Sequence, residues 1–429
     1  MPLFPNRSIA GIALAMILLF LLAFSFKSRS SVRWLLLPPL VLLFMMLICS
    51  GSRSGWLGLA AGIGYMGWRY DASWRRLRRT RGALIIMMGL AAGLLWVKKG
   101  STAGRMHIYA LSARICADHW PQGAGAGRFS ALFNEYQADY FSHHSLVSRR
   151  ALLADDTFYA FNDYLQWTAE TGLAGVVVLL LGGGLLIQHI RDLYRAGAAH
   201  RLATGCTAAL VSLSVSALFS YPAQVRSIQG LALIFILLLA AVRTGKVRPS
   251  VRSICFRVLA LVLFAGWGRM AGDDLRRNRM ERTAFELARE GFKQQSLRAY
   301  AVLTADYPCC GYNWYAYARQ LYYAGRLNEA RNCLHQCLRY YSSRPVYALL
   351  ADIATECGDD SMAIAYRLRA LYMVPNRMQS RADLAQLYLH TGDTARARNW
   401  YRTILSMPVK VPSERTEQLQ KEAYRKLAE

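Results

Sequence analysis

The stretch ICSGSRSGWLGLAAG, residues Ile48–Gly62, decides how this chain is built. Apolar sequence runs up to it from Trp34 and away from it to Trp68. At the seam stands Arg53, flanked by Ser52 and Ser54 and framed by Gly51 and Gly55. An arginine between two membrane-length segments is costly to bury and needs a partner. The seam therefore reads as the tip between two spans, with Arg53 at the interface.

Working outward, eight apolar segments are long enough to cross a bilayer, some with tilt or help from flanking residues. They cover residues 8–26, 34–50, 54–68, 82–97, 172–190, 203–221, 228–242 and 255–270. Strongly basic connections occur at every second turn: KSRSSVR (27–33), RYDASWRRLRRTR (69–81), RDLYRAGAAHR (191–201) and RTGKVRPSVRSICFR (243–257). Basic loops stay in the cytoplasm. By alternation the Arg53 tip, the long stretch from Lys98 to Thr171 and the turn YPAQVRS (221–227) lie on the periplasmic side. The long stretch balances seven Lys and Arg against seven Asp and Glu, as a translocated region can.

The formal charge of +26 on 429 residues would suggest nucleic acid in a soluble protein. Here the chain is 54% hydrophobic, and its arginines form short clusters between apolar runs, not a patch interleaved with aromatics. That distribution belongs to an inner-membrane protein and argues against a nucleic-acid partner. Only Arg7 precedes the first apolar run and no small-residue cleavage site follows it, so the run reads as a retained helix, not a signal peptide. The nine cysteines show no metal-binding spacing, and no metal or cofactor is expected.

After Met270 the composition turns soluble and helix-rich. Gly291, Gly325, Gly358 and Gly392 are spaced by 34, 33 and 34 residues, and Ala330, Ala363 and Ala397 follow three of them by five. WYAYARQLYYAGRLNEARNCLHQCL (Trp314–Leu338) and SRADLAQLYLHTGDTARARNWYRTIL (Ser380–Leu405) resemble tetratricopeptide repeats. The small residues let two helices of a hairpin approach and the glycine sits at the turn. Such a solenoid either stacks as a scaffold or offers a concave surface to a protein partner. The expectation is an all-α chain in two parts. A polytopic helical bundle with a large periplasmic loop (98–171) covers residues 1–270, and an α-solenoid of repeats covers 271–429.

Three motifs stand in order around the loop. They are SRSGWLGL at the first external tip, GRMHIYALSARICADHWPQGAGAGRF (Gly104–Phe129), and FYAFNDYLQWTAETGLAG (Phe158–Gly175), which leads into the fifth span. With SYPAQ (Ser220–Gln224) they resemble the O-antigen ligase and polymerase family of the bacterial inner membrane. The resemblance covers residues 1–245, and a tetratricopeptide tail is similar to what some members carry. It implies glycan transfer at the periplasmic face of the inner membrane. The donor would be a saccharide on undecaprenyl pyrophosphate. The acceptor would be lipid A–core, another lipid-linked glycan or a protein hydroxyl. Ligase, polymerase and protein O-glycosyltransferase remain open, as does a non-enzymatic scaffold in envelope assembly.

The resemblance also assigns roles. Arg53 and Arg105 would fork onto pyrophosphate oxygens as the leaving group departs. Arg114 would stand near them, and Asn162, Gln166 and Glu170 would serve the substrate. Two departures stand out. Where the family places a histidine before the asparagine of its third motif, this chain has Phe161, which cannot accept a proton. Asp163, His143, His144, Asp155 and Asp156 are then the candidate bases, with Asp163 the first choice. The family also carries more spans, four of which would precede residue 1. The chain therefore reads as a shortened variant or one with a late start.

Overall fold

The structure, a computed structural model, describes residues 4, 6–25, 30–70, 99–197, 200–242, 251–409 and 412–429. Among these there are helices and turns and no strand. The expected span at 82–97 lies outside the described residues, as do parts of all four basic connections. The chain divides into two compact units. The first comprises residues 1–102, 120–122 and 160–273; the second comprises 103–119, 123–159 and 274–429.

The first unit is organised around α1 (Arg7–Ser25), which packs on α2 (Ser30–Ser50), α3 (Arg53–Tyr70) and α8 (His200–Ala217). The intervening residues 103–119 and 123–159 belong to the second unit. Two further helices complete the bundle: α7 (Asp163–Arg195) and α9 (Arg226–Ala241), followed by the first part of α10 (Val251–Arg289). Close approach is what the small residues permit. A Cβ added at Gly58 would stand 2.4 Å from the Ser216 hydroxyl oxygen and 2.6 Å from the Ser212 carbonyl oxygen. One added at Gly11 would stand 2.3 Å from the Ser52 Cβ. In an apolar medium helices gain little from burying apolar area, so such small-residue contacts carry the packing.

Outward the unit presents apolar surface. Leu35 and Leu42 on α2 are 76% and 62% exposed, and Leu180 and Leu181 on α7 are 69% and 64% exposed. Continuous apolar faces of this kind are rare on proteins that sit in water. Among the described residues, four helices combine the length and apolarity needed to cross a membrane: α1, α2, α7 and α10. The segments 54–68, 203–221 and 228–242 do form helices. However, α3 and α8 are diluted by Gly, Ser and Thr and largely buried, and α9 has only 16 residues. A helix walled by other helices need not be apolar all round.

The second unit is a stack of helical hairpins. The end of α10 pairs with α11 (Lys293–Asp306), then α12 (Gly311–Tyr323) with α13 (Leu327–Leu338), α14 (Arg344–Glu356) with α15 (Asp360–Met373), and α16 (Met378–His390) with α17 (Thr394–Ser406). A last helix, α18 (Glu414–Ala428), covers the end of the stack on α16 and α17. The repeating glycines sit at the hairpin turns with φ between 74° and 88°, a left-handed conformation that side chains resist. At three of them the next residue's amide reaches back to the helix end: Phe292 to Leu287, Arg326 to Leu321 and Asp359 to Ala354, each 2.9 Å. Ala330, Ala363 and Ala397 are fully buried where the paired helices cross.

The loop helices α4 (Lys99–Asp118), α5 (Phe129–Ser142) and the short α6 (Arg149–Leu153) fold, from Ala103 on, with these repeats. Phe129, Phe133 and Phe141 line the buried side of α5.

Candidate functional site

Several helix ends of the first unit meet at one place. The Ser52 hydroxyl donates to the Ser8 carbonyl (2.7 Å) and accepts from the Gly55 amide (3.1 Å), which ties the α2–α3 tip to the start of α1. The Ser216 hydroxyl donates to the Ser54 carbonyl (2.9 Å), which brings in the end of α8. Asn6 accepts from the Ile9 amide and donates to the Tyr221 hydroxyl at 2.6 Å. The Tyr221 ring meets Phe161 edge to face at 5.3 Å. Arg53 opens α3 at this end, half-buried beside the buried Ser52 and Ser54.

The third sequence motif builds the rest of this end. Asn162 caps α7, its side-chain oxygen accepting from the Leu165 amide at 3.1 Å. Gln166 accepts from the Ala160 amide at 3.0 Å and donates to Glu170 at 3.2 Å. Both polar residues therefore fasten the entry into the helix. Gly172 interrupts α7 at φ 60°, ψ −148°, a region open essentially to glycine. The amide freed at Leu173 donates to the Pro121 carbonyl at 2.9 Å. The break separates a first segment, Asp163–Thr171, from the apolar remainder.

Asp163 is the exceptional group. It is 7% exposed at the first turn of α7. Its Oδ2 accepts from the Ala223 amide at 2.7 Å, across the 3-10 turn Pro222–Gln224. Its Oδ1 is buried with no hydrogen-bond partner among the described residues. A buried carboxylate oxygen left unsatisfied is costly and calls for an explanation. An oxygen held in place and ready to accept a hydroxyl hydrogen is one.

The remaining sequence candidates lie in the second unit. Arg105 is half-buried on α4, two residues from the buried His107. Arg114 is exposed and pairs with Asp118 one turn on, at 3.8 Å. The buried side of α4 runs through His107, Leu111 and Ile115, so Met106 and Ala113 face outward, not along an apolar stripe. His143 and His144 are exposed, and their Nδ1 atoms lie against the Asp139 and Tyr140 carbonyls at the end of their own helix. Asp155 pairs with Arg377 at 3.4 Å, and Asp156 accepts from the Arg344 amide at 2.9 Å. Burial pushes the Asp156 carboxyl above its ordinary range. Of the five candidate bases, Asp163 alone carries a buried oxygen with no partner among the described residues.

Sequence reasoning passed over Asn6, Tyr221 and the Ala223 amide as parts of this end. The SYPAQ motif was the available signal, because a turn that returns to a buried carboxylate needs a free amide two residues after the tyrosine. On the repeats, a cleft of about 300 Å³ is lined by Tyr322, Asp352, Glu356, Arg367, Asp383 and His390. Arg367 there bridges Asp352 and Asp383. Among the described residues no cluster of His, Cys, Asp or Glu could hold a metal ion.

Comparison with known proteins bears on both parts of the chain. Residues 38–180, about a third of the chain, match a family model described as O-antigen ligase. None of the curated proteins matches the chain. Among solved structures it is similar to a crystal structure of MamA, with 17% identity, TM-score 0.29, and coverage of 34% of this chain and 90% of that one. It is similar to MamA 41-end from Desulfovibrio magneticus RS-1, with 15% identity, TM-score 0.29, and coverage of 38% and 85%. Yeast Tom70 matches with 10% identity, TM-score 0.32, and coverage of 91% and 85%. The family match and the apolar helices support a membrane protein with an O-antigen ligase or polymerase type of role.

Proposed function

We propose that the chain transfers a glycan from undecaprenyl pyrophosphate to a hydroxyl of lipid A–core, as an O-antigen ligase, at the periplasmic face of the inner membrane. The observation that carries this reading is the buried Asp163 with one oxygen fixed by an amide and the other unpartnered among the described residues. The acceptor hydroxyl oxygen attacks the anomeric carbon, and the bond from that carbon to the pyrophosphate breaks. The electron pair leaves with the pyrophosphate, and the hydroxyl proton passes to Asp163 Oδ1. Arg53 and Arg105 are assigned to the pyrophosphate, whose charge grows as the bond breaks. A planar guanidinium fork matches two phosphate oxygens at once. Asn162, Gln166 and Glu170 hold the segment that carries Asp163. Their assignment to substrate, and that of Arg114, rests on the resemblance alone.

The orientation follows from charge. Arg69 sits at the end of α3 away from Arg53, over the Tyr194 ring at 3.6 Å. The basic residues Arg191, Arg195 and Arg201 are close by in sequence to that same ring or its neighbour Thr204. Under the positive-inside rule that end is cytoplasmic and the Arg53 end periplasmic.

The test is Asp163→Asn, assayed with purified undecaprenyl-pyrophosphate glycan and lipid A–core. Loss of a general base costs about 10²–10⁴-fold in rate, and the amide keeps the shape. Transfer within about threefold of the parent would remove Asp163 from the chemistry. Growth of the donor glycan in place of transfer to lipid A–core would make the enzyme a polymerase. One observation favours a second, non-enzymatic reading as an envelope scaffold: Phe161 stands where the resemblance expects a histidine. No transfer by a well-folded parent chain, with any acceptor, would establish that reading.

A further inference from the structure

We propose that the partner of the repeat array is the chain's own loop, and that Arg369 on α15 positions Arg105 on α4 through the intervening helix α5. The first link joins repeat to loop. Arg369 sends its Nε (2.8 Å) and Nη2 (2.5 Å) to Glu135 Oε2, and its Nη1 to Asp139 Oδ1 (2.5 Å). Both acids are on α5. The other Glu135 oxygen accepts from the Ser342 hydroxyl (2.5 Å) and the Tyr347 hydroxyl (2.8 Å). A bidentate guanidinium on one carboxylate, with hydroxyls on its other oxygen, fixes direction as well as distance.

Loop and repeats also bind one another's backbone carbonyls. Asn134 donates to the Ser342 carbonyl at 2.7 Å, and Gln137 to the Met373 carbonyl at 2.6 Å. Asn376 donates to the carbonyls of Leu152 and Ala154 at 2.9 and 2.6 Å. Arg381, fully buried on α16, donates to the carbonyls of Pro375 and of the loop residue Leu146, the latter at 3.3 Å, while its Nε has no hydrogen-bond partner among the described residues. Ala138 packs on Met373 and Val374 beneath this polar layer. A buried guanidinium that lacks an acid is unfavourable, so stripping the loop away would worsen an already poor environment. The loop and the repeats are thus parts of one body.

The second link joins loop helix to loop helix. The His107 ring on α4 lies 5.1 Å from Tyr140 and 5.3 Å from Phe141 on α5. At the far end of α4, His119 stands against Tyr136 at 6.4 Å. Two contacts near opposite ends of a helix fix its angle, and Arg105 is two residues from the first. Displacing α5 from α15 therefore tilts Arg105. The effect on transfer rests on Arg105 being a donor contact; the seating of the loop does not.

The test uses the full chain in detergent. Arg369→Glu puts a third acid against Glu135 and Asp139. We expect at least about tenfold faster hydrogen exchange in α5 and α4, the loss expected for a half-buried charge pair turned repulsive. The KM for the lipid-linked donor should rise by a similar factor, with the acceptor KM unchanged. Arg369→Lys should be intermediate, because it keeps the charge and loses the fork. Glu135→Arg combined with Arg369→Glu should recover most of the exchange protection. Unchanged exchange in α4 and α5 in Arg369→Glu overturns the seating. Faster exchange with an unchanged donor KM overturns the positioning of Arg105. A parent chain that transfers nothing counts against the proposed function instead, and the exchange result still decides whether the repeats hold the loop.

Discussion

Glu135 on α5 and Asp163 on α7 are both carboxylates at helix positions, and the chain treats them oppositely. Glu135 accepts four hydrogen bonds, from Ser342, Tyr347 and two nitrogens of Arg369. Asp163 is buried, its Oδ2 accepts from the Ala223 amide, and its Oδ1 has no partner among the described residues. A carboxylate with every lone pair engaged is a fastening and has nothing left to offer a substrate. A buried one with an oxygen in reserve is held at a cost that only function repays. Under the proposed function, the contrast separates a carboxylate available to a substrate from one that fastens the loop to the repeats.

The comparison breaks most sharply at Asp163→Asn, whose loss of transfer should exceed that of any other single change described here. Arg53→Ala comes next. Removing one donor that stabilises developing negative charge costs about 10²–10³-fold in kcat, and membrane insertion should be unaffected. Arg53→Lys should recover only part of the loss. Normal transfer by Arg53→Ala would reduce this arginine to a contact with lipid headgroups.

A smaller effect sharpens the other side of the comparison. Burial pushes the His107 imidazole down to about 4 from its ordinary 6.5, with the Arg150 charge adding to the effect. Its Nε2 has no hydrogen-bond partner among the described residues. Between those two values the unfolded chain takes up a proton that the folded one refuses. The second unit should therefore lose stability as pH falls from about 6.5 to 4, by on the order of 2 kcal/mol. Protection factors in α4 and α5, corrected for intrinsic exchange, should fall over that range. In His107→Leu the acid-dependent part should vanish. The same fall in the leucine variant would assign the acid sensitivity to groups other than His107.

Much of this was legible in the sequence, for reasons that differ by region. The repeat glycines could be read because a left-handed turn every 33 or 34 residues admits few other side chains, and each of the four lies at such a turn. The capping role of Asn162 follows from residue type and the helix beginning after it. Which apolar segments pack on one another was not legible. Hydropathy measures what a segment faces only if the segment faces lipid, and α3 and α8 face one another through Gly58, Ser212 and Ser216. Nor could the sequence show that Glu135 belongs to Arg369, 234 residues away. No local pattern encodes a pairing between elements so far apart.

Phe161 carries the smallest expected effect and the finest discrimination. Its φ of 53° is left-handed, and among the described residues no other non-glycine residue shares that conformation. Phenylalanine tolerates it poorly, whereas histidine is among the residues found there more often. Phe161→His should therefore fold as well as the parent or slightly better. The edge contact with Tyr221, worth about 0.5–1.5 kcal/mol, is largely kept by an imidazole of similar shape. If Asp163 already takes the acceptor proton, the new ring nitrogen adds little, and transfer should stay within about threefold of the parent. If the base position is vacant, a histidine should raise the rate by about 10²–10⁴-fold. The double variant Phe161→His with Asp163→Asn distinguishes the two accounts. It should be as slow as Asp163→Asn alone when Asp163 is the base. Transfer by the double variant at or above the parent rate would move the proton to position 161 and leave Asp163 as a brace for the Pro222–Gln224 turn.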